Sequence, residues 1–471
     1  MKAKEALKAL FYPDSVAVVG ASRNPRKIGY QVLRSLVEYG YQGRVYAVNP
    51  AAESILGVRC YRSISEIPDS IDLAVLIVKA EDAPKAVRGC VDKGAKGIII
   101  VSGGFKERGE EGEKLEREIV QVARSYNARV IGPNCIGIYN SSNRLDTLFQ
   151  AAERCLRPDK GPLAFISQSG TFSLAMLEWA AECGLGVSKF VSLGNRCDLT
   201  EAELLEYLAE DPDTQVIAMY IESIPDGRKL LSAIRRTAEK KPVVVLLVGR
   251  TEEGAIGAKF HTGRLAGDYR RAAGALRQAG AIIADTIYQL FDYAKALAWQ
   301  PLPQGNRVAF VTNGAGPVVT ALDRLSEWGL RLADLDAATI QRLRDELPAY
   351  TQAEQNPVDL TGSATSSDFK TALSILLESK AVDIIMPFFV FQDTPLDEGI
   401  ASVMAEVSSR SKEAGKPVVC CAMGGPYTRS MVSKVEESRI PVYESPERAL
   451  SAAWSLYMYS AVRKRLRSGA T

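Results

Sequence analysis

The chain has one histidine, His261, in 471 residues. It lies in a segment that carries Gly249, Gly254, Gly257, Gly263 and Gly267 around it. Glycine permits dihedrals and movement that other residues resist. A core histidine would sit in an apolar periodic run, and His261 does not. An imidazole in such a setting can take a phosphoryl group and pass it on. A plain surface loop is the alternative. Glu222 is a second candidate. It stands in Met219-Tyr220-Ile221-Glu222, where a parallel strand would end, the usual edge for ligands. A carboxylate there could hold one imidazole nitrogen and leave the other to attack. A solvated loop acid is its alternative.

Three glycine turns add anion-binding chemistry. The first runs from Val19-Gly20-Ala21-Ser22-Arg23 through Arg26 and Lys27 to Gly29. Gly20 permits a tight turn, and helix-start amides with Ser22, Arg23, Arg26 and Lys27 suit a phosphate. It is not the G-x-G-x-x-G pattern. Asn49-Pro50 closes the next strand without the acid that grips an NAD ribose, which speaks against a dehydrogenase. A structural turn with a solvated basic cluster is the competing reading. The other two turns are Gln168-Ser169-Gly170-Thr171 and Asn313-Gly314-Ala315-Gly316. Each would present helix N-terminal amides to phosphate or carboxylate. One such turn is weak on its own; two in similar blocks could aim at one shared anion.

These residues need scaffolds, and the chain alternates short β-branched runs with helical patterns, the mark of parallel sheets with crossover helices. Strands are predicted at Val16–Val19, Arg44–Asn49, Leu73–Val78, Gly97–Val101 and Arg129–Ile131, forming one α/β unit that ends near Asn140. Amphipathic stretches at Gln31–Tyr39 and Lys114–Tyr126 lie between them. A second series runs Leu163–Ile166, Gly186–Ser192, Gln215–Ile221, Pro242–Val248 and Ala281–Ala284. A third begins at Val308–Val311, after the break Pro301-Leu302-Pro303-Gln304-Gly305. The second and third series read as diverged copies. Each opens on a strand and a polar glycine turn, has a later strand ending in a polar or acidic patch, and then repeats Lys-Pro-Val-Val at 241–244 and 416–419.

Composition narrows the classes. The length suggests about three domains at roughly 150 residues each. Lys plus Arg total 58 and Asp plus Glu 56, a net charge of +2, less basic than a charge-driven nucleic-acid binder. A zinc site with two or three histidine ligands is excluded, and no metal site is expected. The eight cysteines are scattered without a C-x-x-C pair, as in reduced, mostly buried thiols of a cytoplasmic protein. No segment approaches the roughly 18 apolar residues of a membrane span, and no signal-peptide apolar region is expected.

The combination resembles the α subunit of the ADP-forming (NDP-forming) acyl-CoA synthetases, the acetyl-CoA synthetase type related to succinyl-CoA synthetase. The resemblance covers nearly the whole chain. It rests on Val18-Val19-Gly20-Ala21-Ser22, Ala47-Val48-Asn49-Pro50, Gly132-Pro133-Asn134-Cys135-Ile136-Gly137, Ser167-Gln168-Ser169-Gly170, Ser192-Leu193-Gly194-Asn195, His261-Thr262-Gly263 with Leu265-Ala266-Gly267, and Asn356-Pro357-Val358-Asp359, in that order. It implies an α/β architecture: a Rossmann-like CoA-binding domain (1–150), a flavodoxin-like domain with the phosphohistidine loop (151–300) and a second flavodoxin-like ligase domain (301–471). It implies His261 as the phosphorylated residue and Glu222 as its supporting acid. Gly20, Ala21, Ser22, Arg23, Lys27, Asn49, Pro50 and Asn134 fall on the coenzyme A side. Gln168, Ser169, Gly170, Thr171, Asn313, Gly314, Ala315 and Gly316 fall on the phosphate cradles, and Gly194 and Asn195 beside the acyl pocket. No block is left for an ATP-grasp module. A separate ATP-grasp β subunit handling ATP, ADP and Mg²⁺, in an α2β2 assembly, is therefore implied. The sequence departs from the family's usual pattern at Phe260 and Arg264 beside His261, at Lys79 after the third strand, and at Cys197 and Leu199 in the loop after Asn195. A non-catalytic CoA-binding regulator of the same fold is the competing reading; His261 and Glu222 together argue against it.

Overall fold

Short runs of β-branched residues form the strands, and the stretches between them fold as helices that bury one stripe against a sheet. A computed structural model describes the backbone of residues 2–262 and 268–468, with side chains for 5–257 and 268–468. Two compact units divide it, residues 1–283 and 284–471.

The first unit holds two sheets. The first contains β1 (Ser15–Val19), β2 (Arg44–Val48), β3 (Ser54–Ile55), β4 (Val58–Tyr61), β5 (Leu73–Leu76), β6 (Gly97–Ile100) and β7 (Arg129–Ile131). Their order is β3-β4-β2-β1-β5-β6-β7. All pairings are parallel except the short β3–β4 hairpin. With β3 alone set aside, the order β4-β2-β1-β5-β6-β7 is the dinucleotide-binding 3-2-1-4-5-6, whose ligand crevice opens between β1 and β5.

The second sheet contains β8 (Ile138–Asn140), β9 (Leu145–Asp146), β10 (Lys160–Ser167), β11 (Val187–Ser192), β12 (Val216–Ile221), β13 (Val243–Leu247) and β14 (Ile282–Ala284), in the order β14-β13-β12-β10-β11-β8-β9. From β10 onward this is the flavodoxin order 2-1-3-4-5. Residues 138–146 fall at and just past the predicted end of the first series near Asn140, and β8 joins the second sheet, antiparallel to β11. A strand of two or three residues carries no periodicity that says which sheet it joins. One hydrophobic cluster runs from Val18 and Ile99 on the first sheet to Ile166, Val191 and Ile217 on the second.

The N-terminal helix Lys2–Phe11 docks through Phe11, whose ring stacks on Tyr207 at 5.0 Å and whose carbonyl accepts from Asn140 Nδ2 at 2.7 Å. Beneath it, Lys189 on β11 is fully buried. Its Nζ lies 3.2 Å from Asp211 and 3.5 Å from Asp213, over the Tyr12 ring. Tyr12 and Ser142 hydroxyls donate to Asp213 at 3.0 and 2.6 Å.

The second unit holds β15 (Arg307–Thr312), β16 (Arg331–Leu332), β17 (Val358–Asp359), β18 (Ile384–Phe389), β19 (Cys420–Ala422) and β20 (Val442–Tyr443). The order β16-β15-β18-β19-β20 again reads 2-1-3-4-5, with β17 also on β15. The two flavodoxin-like sheets thus share one strand order, as the paired sequence blocks suggest.

Candidate active site

At the switch point of the first sheet, Gly20 leaves β1 with φ +93°. A Cβ there would sit 2.1 Å from the Ile77 carbonyl oxygen, so only glycine fits the turn. Gly29 opens the next helix, Ile28–Glu38, against the Gly20 carbonyl; a Cβ at Gly29 would also meet it at 2.1 Å. No side chain caps this helix, and Arg23, Arg26 and Lys27 are exposed before it. Ser22 Oγ accepts from Asn24 N at 3.1 Å, which shapes the turn. Asn49 joins the turn to β2: its Nδ2 donates to the Ala21 carbonyl at 2.7 Å. Pro50 is exposed beside it. An uncapped helix start with three exposed cations and a backbone no side chain crowds is fit to hold a phosphate-bearing ligand.

Asn134 and Gly194 meet where the first two sheets abut. Asn134 has φ +58° and its amide N–H donates to the Ser102 carbonyl at 2.9 Å. Gly194 has φ +54°, and a Cβ there would lie 2.3 Å from the Pro133 oxygen and 2.5 Å from the Asn134 oxygen. Asn195 N donates to the Pro133 carbonyl at 2.8 Å and Cys197 N to Gly132 at 3.0 Å. The Asn195 side chain donates through Nδ2 to Glu107 at 2.6 Å and Glu116 at 2.8 Å. Lys106 Nζ donates to the Asn195 carbonyl. Burial pushes the Glu116 carboxyl above its ordinary value, over the opposing pull of Asn195 and Lys106. Burial also acts to raise Glu107, but hydrogen bonds from Asn195 and the Gly104 and Phe105 amides outweigh it and hold Glu107 low.

The third part is the end of β10. Ser167 Oγ accepts from Ser169 N at 3.1 Å and donates to the Ser169 carbonyl at 2.7 Å, folding the turn on itself. Ser169 then caps the helix Gly170–Glu182 by accepting from Phe172 N. Gln168 is buried and faces β12. Its Oε1 accepts from Glu222 N at 2.8 Å and Ser223 N at 3.1 Å, and its Nε2 donates to Ser223 O at 3.0 Å. Arg196 pairs with Glu201 at 2.8 Å, both largely buried, and donates to the Ser223 carbonyl at 3.0 Å. Gln168 is therefore a backbone clamp that fixes where Glu222 stands. Glu222 itself is buried, and it faces an apolar cavity of ≈ 580 Å³ lined by Leu230, Leu247, Tyr269 and Leu276.

The second unit repeats this turn. Thr312 Oγ1 accepts from Gly314 N at 3.0 Å and donates to the Gly314 carbonyl at 2.8 Å. Asn313 Oδ1 accepts from Val390 N at 2.8 Å, and its Nδ2 donates to Val390 O at 3.0 Å. Ala315 and Gly316 are exposed at the start of the helix Gly316–Leu325, which has no side-chain cap. Register places Ser167 beside Tyr220 and Thr312 beside Phe388, so Val390 occupies the position of Glu222. The second copy keeps the turn and lacks the acid.

One cleft of ≈ 370 Å³ gathers six of the first unit's candidates; the Gly20–Lys27 turn, Asn49, Pro50 and Ser169 do not line it, and Glu222 lines the separate apolar cavity. Its walls include Ile28, Asn134, Gln168, Gly170, Thr171, Gly194 and Asn195. Lys106, Glu107 and Arg196 also line it, and no motif in the sequence marks them out. A cue existed for Arg196 alone, which follows Gly194-Asn195 directly. Of the family departures, Lys79 is exposed, while Leu199 is wholly in the core and neither it nor Cys197 is among the residues that line the cleft. His261 lies in the last turn of a helix, Glu252–Thr262, rather than in a glycine loop. Thr251 starts this helix by accepting from Gly254 N at 3.1 Å, and Glu252 and Glu253 favour its first turn. The side chains of Phe260 and His261, and all of Gly263, Arg264, Leu265, Ala266 and Gly267, lie outside the described residues. Among the described residues no group of three or more His, Cys, Asp or Glu could hold a metal, and no helix is long and apolar enough to cross a membrane.

Known proteins bear on this arrangement. Residues 14–141 match the CoA binding domain family, and residues 160–297 match the succinyl-CoA ligase like flavodoxin domain. The chain is 40% identical to the acetate–CoA ligase [ADP-forming] II subunit alpha of Pyrococcus furiosus, over 96% of this chain and 97% of that one. It is equally 40% identical to the acetate–CoA ligase [ADP-forming] I of Archaeoglobus fulgidus, over 98% of this chain but only 65% of that longer protein. Among solved structures, the dinucleotide forming acetyl-coenzyme A synthetase 1 of Ca. Korarchaeum cryptofilum, in complex with phosphate and ADP, aligns over 99% of both chains with TM-score 0.91 and 36% identity. On near full-length identity and two matching domain families, the chain belongs to the ADP-forming acyl-CoA synthetases, as a member of their α-subunit type.

Proposed function

We propose that the chain interconverts acyl-CoA, ADP and phosphate with carboxylic acid, CoA and ATP through an acyl phosphate and a phosphohistidine at His261. The observation that carries this reading is the single cleft joining Asn134, Gly194 and Asn195 to the helix start at Gly170–Thr171. A thioester reaching in from the Gly20 side would meet a phosphate held at Gly170–Thr171 in this cleft, where fixed dipoles act on developing charge. In the acyl-CoA-consuming direction a phosphate oxygen attacks the thioester carbon, the C–S bond breaks, and CoA leaves as the thiol after protonation. An imidazole nitrogen of His261 then attacks phosphorus, and the P–O bond to the acyl group breaks to release the carboxylate. Glu222, fixed by the Gln168 clamp, accepts the N–H of the other imidazole nitrogen and keeps the attacking one free. ADP finally takes the phosphoryl group from nitrogen to give ATP.

ADP and Mg²⁺ would be held by an ATP-grasp β subunit in an α2β2 assembly; the extra length of the Archaeoglobus relative leaves room for such a module in one chain. The blocks 1–150, 151–300 and 301–471 would serve CoA binding, phosphotransfer and the second cradle, where Asn313, Gly314, Ala315 and Gly316 present helix-start amides. The test is intact mass after incubation with phosphate and a panel of acyl-CoAs. An acid-labile phosphoryl adduct on the native chain and none on His261→Asn is expected; full turnover by His261→Asn would refute the scheme.

A further inference from the structure

The Asn195 side chain has two amide hydrogens, and two carboxylates take them, Glu107 at 2.6 Å and Glu116 at 2.8 Å. That fixes which end of the amide is which: an oxygen facing two carboxylates would be repelled. Asn195 therefore turns only an acceptor, Oδ1, away from the acids, and Asn134 Nδ2 donates to it at 3.4 Å. Both carboxylates are themselves anchored. Glu107 Oε1 accepts from Gly104 N at 2.5 Å and Phe105 N at 3.1 Å, and Glu116 Oε1 accepts from Lys106 N at 3.3 Å. Asn134 is exposed on the cleft wall, so its second amide hydrogen remains to meet a ligand.

We propose that Glu116 and Glu107 are positioning residues: by holding Asn195 in one orientation, they aim the Asn134 amide as a donor at the acyl carbonyl oxygen in the cleft. The proposal rests on the reading of this cleft as the acyl-transfer site. A donor held in place before reaction stabilises the oxyanion that forms when phosphate attacks the thioester carbon, and loss of one such donor costs about 10²–10³ in rate.

The test is a double-mutant cycle in the full enzyme with its nucleotide-binding partner, read as kcat and as KM for CoA. Asn134→Ala should lose roughly 10²-fold in kcat. Glu116→Ala and Asn195→Ala should each lose about tenfold or more in kcat with KM within about twofold, and the double variant should be no slower than Asn195→Ala alone. Glu116→Gln keeps an acceptor oxygen and should recover most of the rate. Additive losses, or native kcat in Glu116→Ala, would overturn the relay. If Glu116→Ala fails to fold, the Glu107→Ala and Asn195→Ala cycle decides in the same way, since Glu107 is exposed. Native turnover in Asn134→Ala would instead remove the cleft as the acyl-transfer site.

Discussion

Gly194→Ala separates backbone strain from catalytic geometry. At φ +54° an alanine costs about 1–2 kcal/mol relative to glycine. Its Cβ would also stand 2.3 Å from the Pro133 oxygen, and real Cβ atoms essentially never come within 3.0 Å, so the loop must open by at least 0.7 Å. The atoms displaced are backbone of Pro133 and Asn134, which carry the cleft wall. A shift near 1 Å at a reacting centre costs about 10²-fold, or roughly 2.7 kcal/mol in transition-state binding. Gly184→Ala is the control. It has φ +63° and nothing within 4 Å of its Cβ, so it meets the same strain without the clash. Steady-state kinetics of CoA release with the proposed partner subunit, alongside urea melts, should show Gly184→Ala destabilised by about 1–2 kcal/mol, Gly194→Ala by more than that because of its clash, and only Gly194→Ala slowed about 100-fold. Equal turnover in the two variants would refute the reasoning.

Three further outcomes follow from the buried polar groups. Gln168→Leu leaves Glu222 N and Ser223 N without their acceptor, while Ser223 O keeps Arg196, and should cost about 2–4 kcal/mol in chemical denaturation; a loss below about 1 would deny the clamp. Lys189→Met leaves Asp211 and Asp213 without their buried cation and should cost about 3 kcal/mol, whereas Lys160→Met, which removes only an exposed lysine from Asp213, should cost under about 1. The Asp213 carboxyl is held well below its ordinary value: burial would raise it, but the Ser142 hydroxyl, Lys160, the Tyr12 hydroxyl and Lys189 outweigh that. A depressed folded value stabilises fully above the ordinary carboxylate value near 4 and less as pH falls below it. The stability gap between native protein and Ser142→Ala, measured by urea midpoints, should therefore be widest near neutrality and close in acid.

The long strands and the turns at their ends were legible. Val16–Val19 and Val243–Val248 are uniform apolar runs that only a doubly covered sheet can bury, and β1 and β13 lie there. The Gly20 and Ser169 turns could be placed because a helix must start after each strand. The short pieces were not legible: β8, β9, β16, β17 and β20 are two or three residues long, and pairing partners rather than propensity make them strands. Gln168 was legible as part of a cradle but not as a clamp, because its partners lie 54 and 55 residues away. Lys106, Glu107 and Glu116 were missed for the same reason. Their link to Asn195 spans about 80–90 positions. The helix that carries His261 was missed because its glycines outweigh, in a sequence reading, the Thr251 cap and the two acids after it.

The antiparallel pair β8–β9 has a practical side for anyone who would dissect this chain by proteolysis or expression in pieces. A fragment ending at residue 150 carries away the edge of a neighbouring sheet. In what remains from residue 151 onward, β11 becomes the sheet's edge, stripped of the partner to which Phe190 and Val191 are paired. Both side chains are fully buried, and the row of amides beside them would become an open strand edge ready to recruit another molecule. Cleavage at that point should therefore yield an aggregating C-terminal piece, and co-expression of the two pieces should restore solubility.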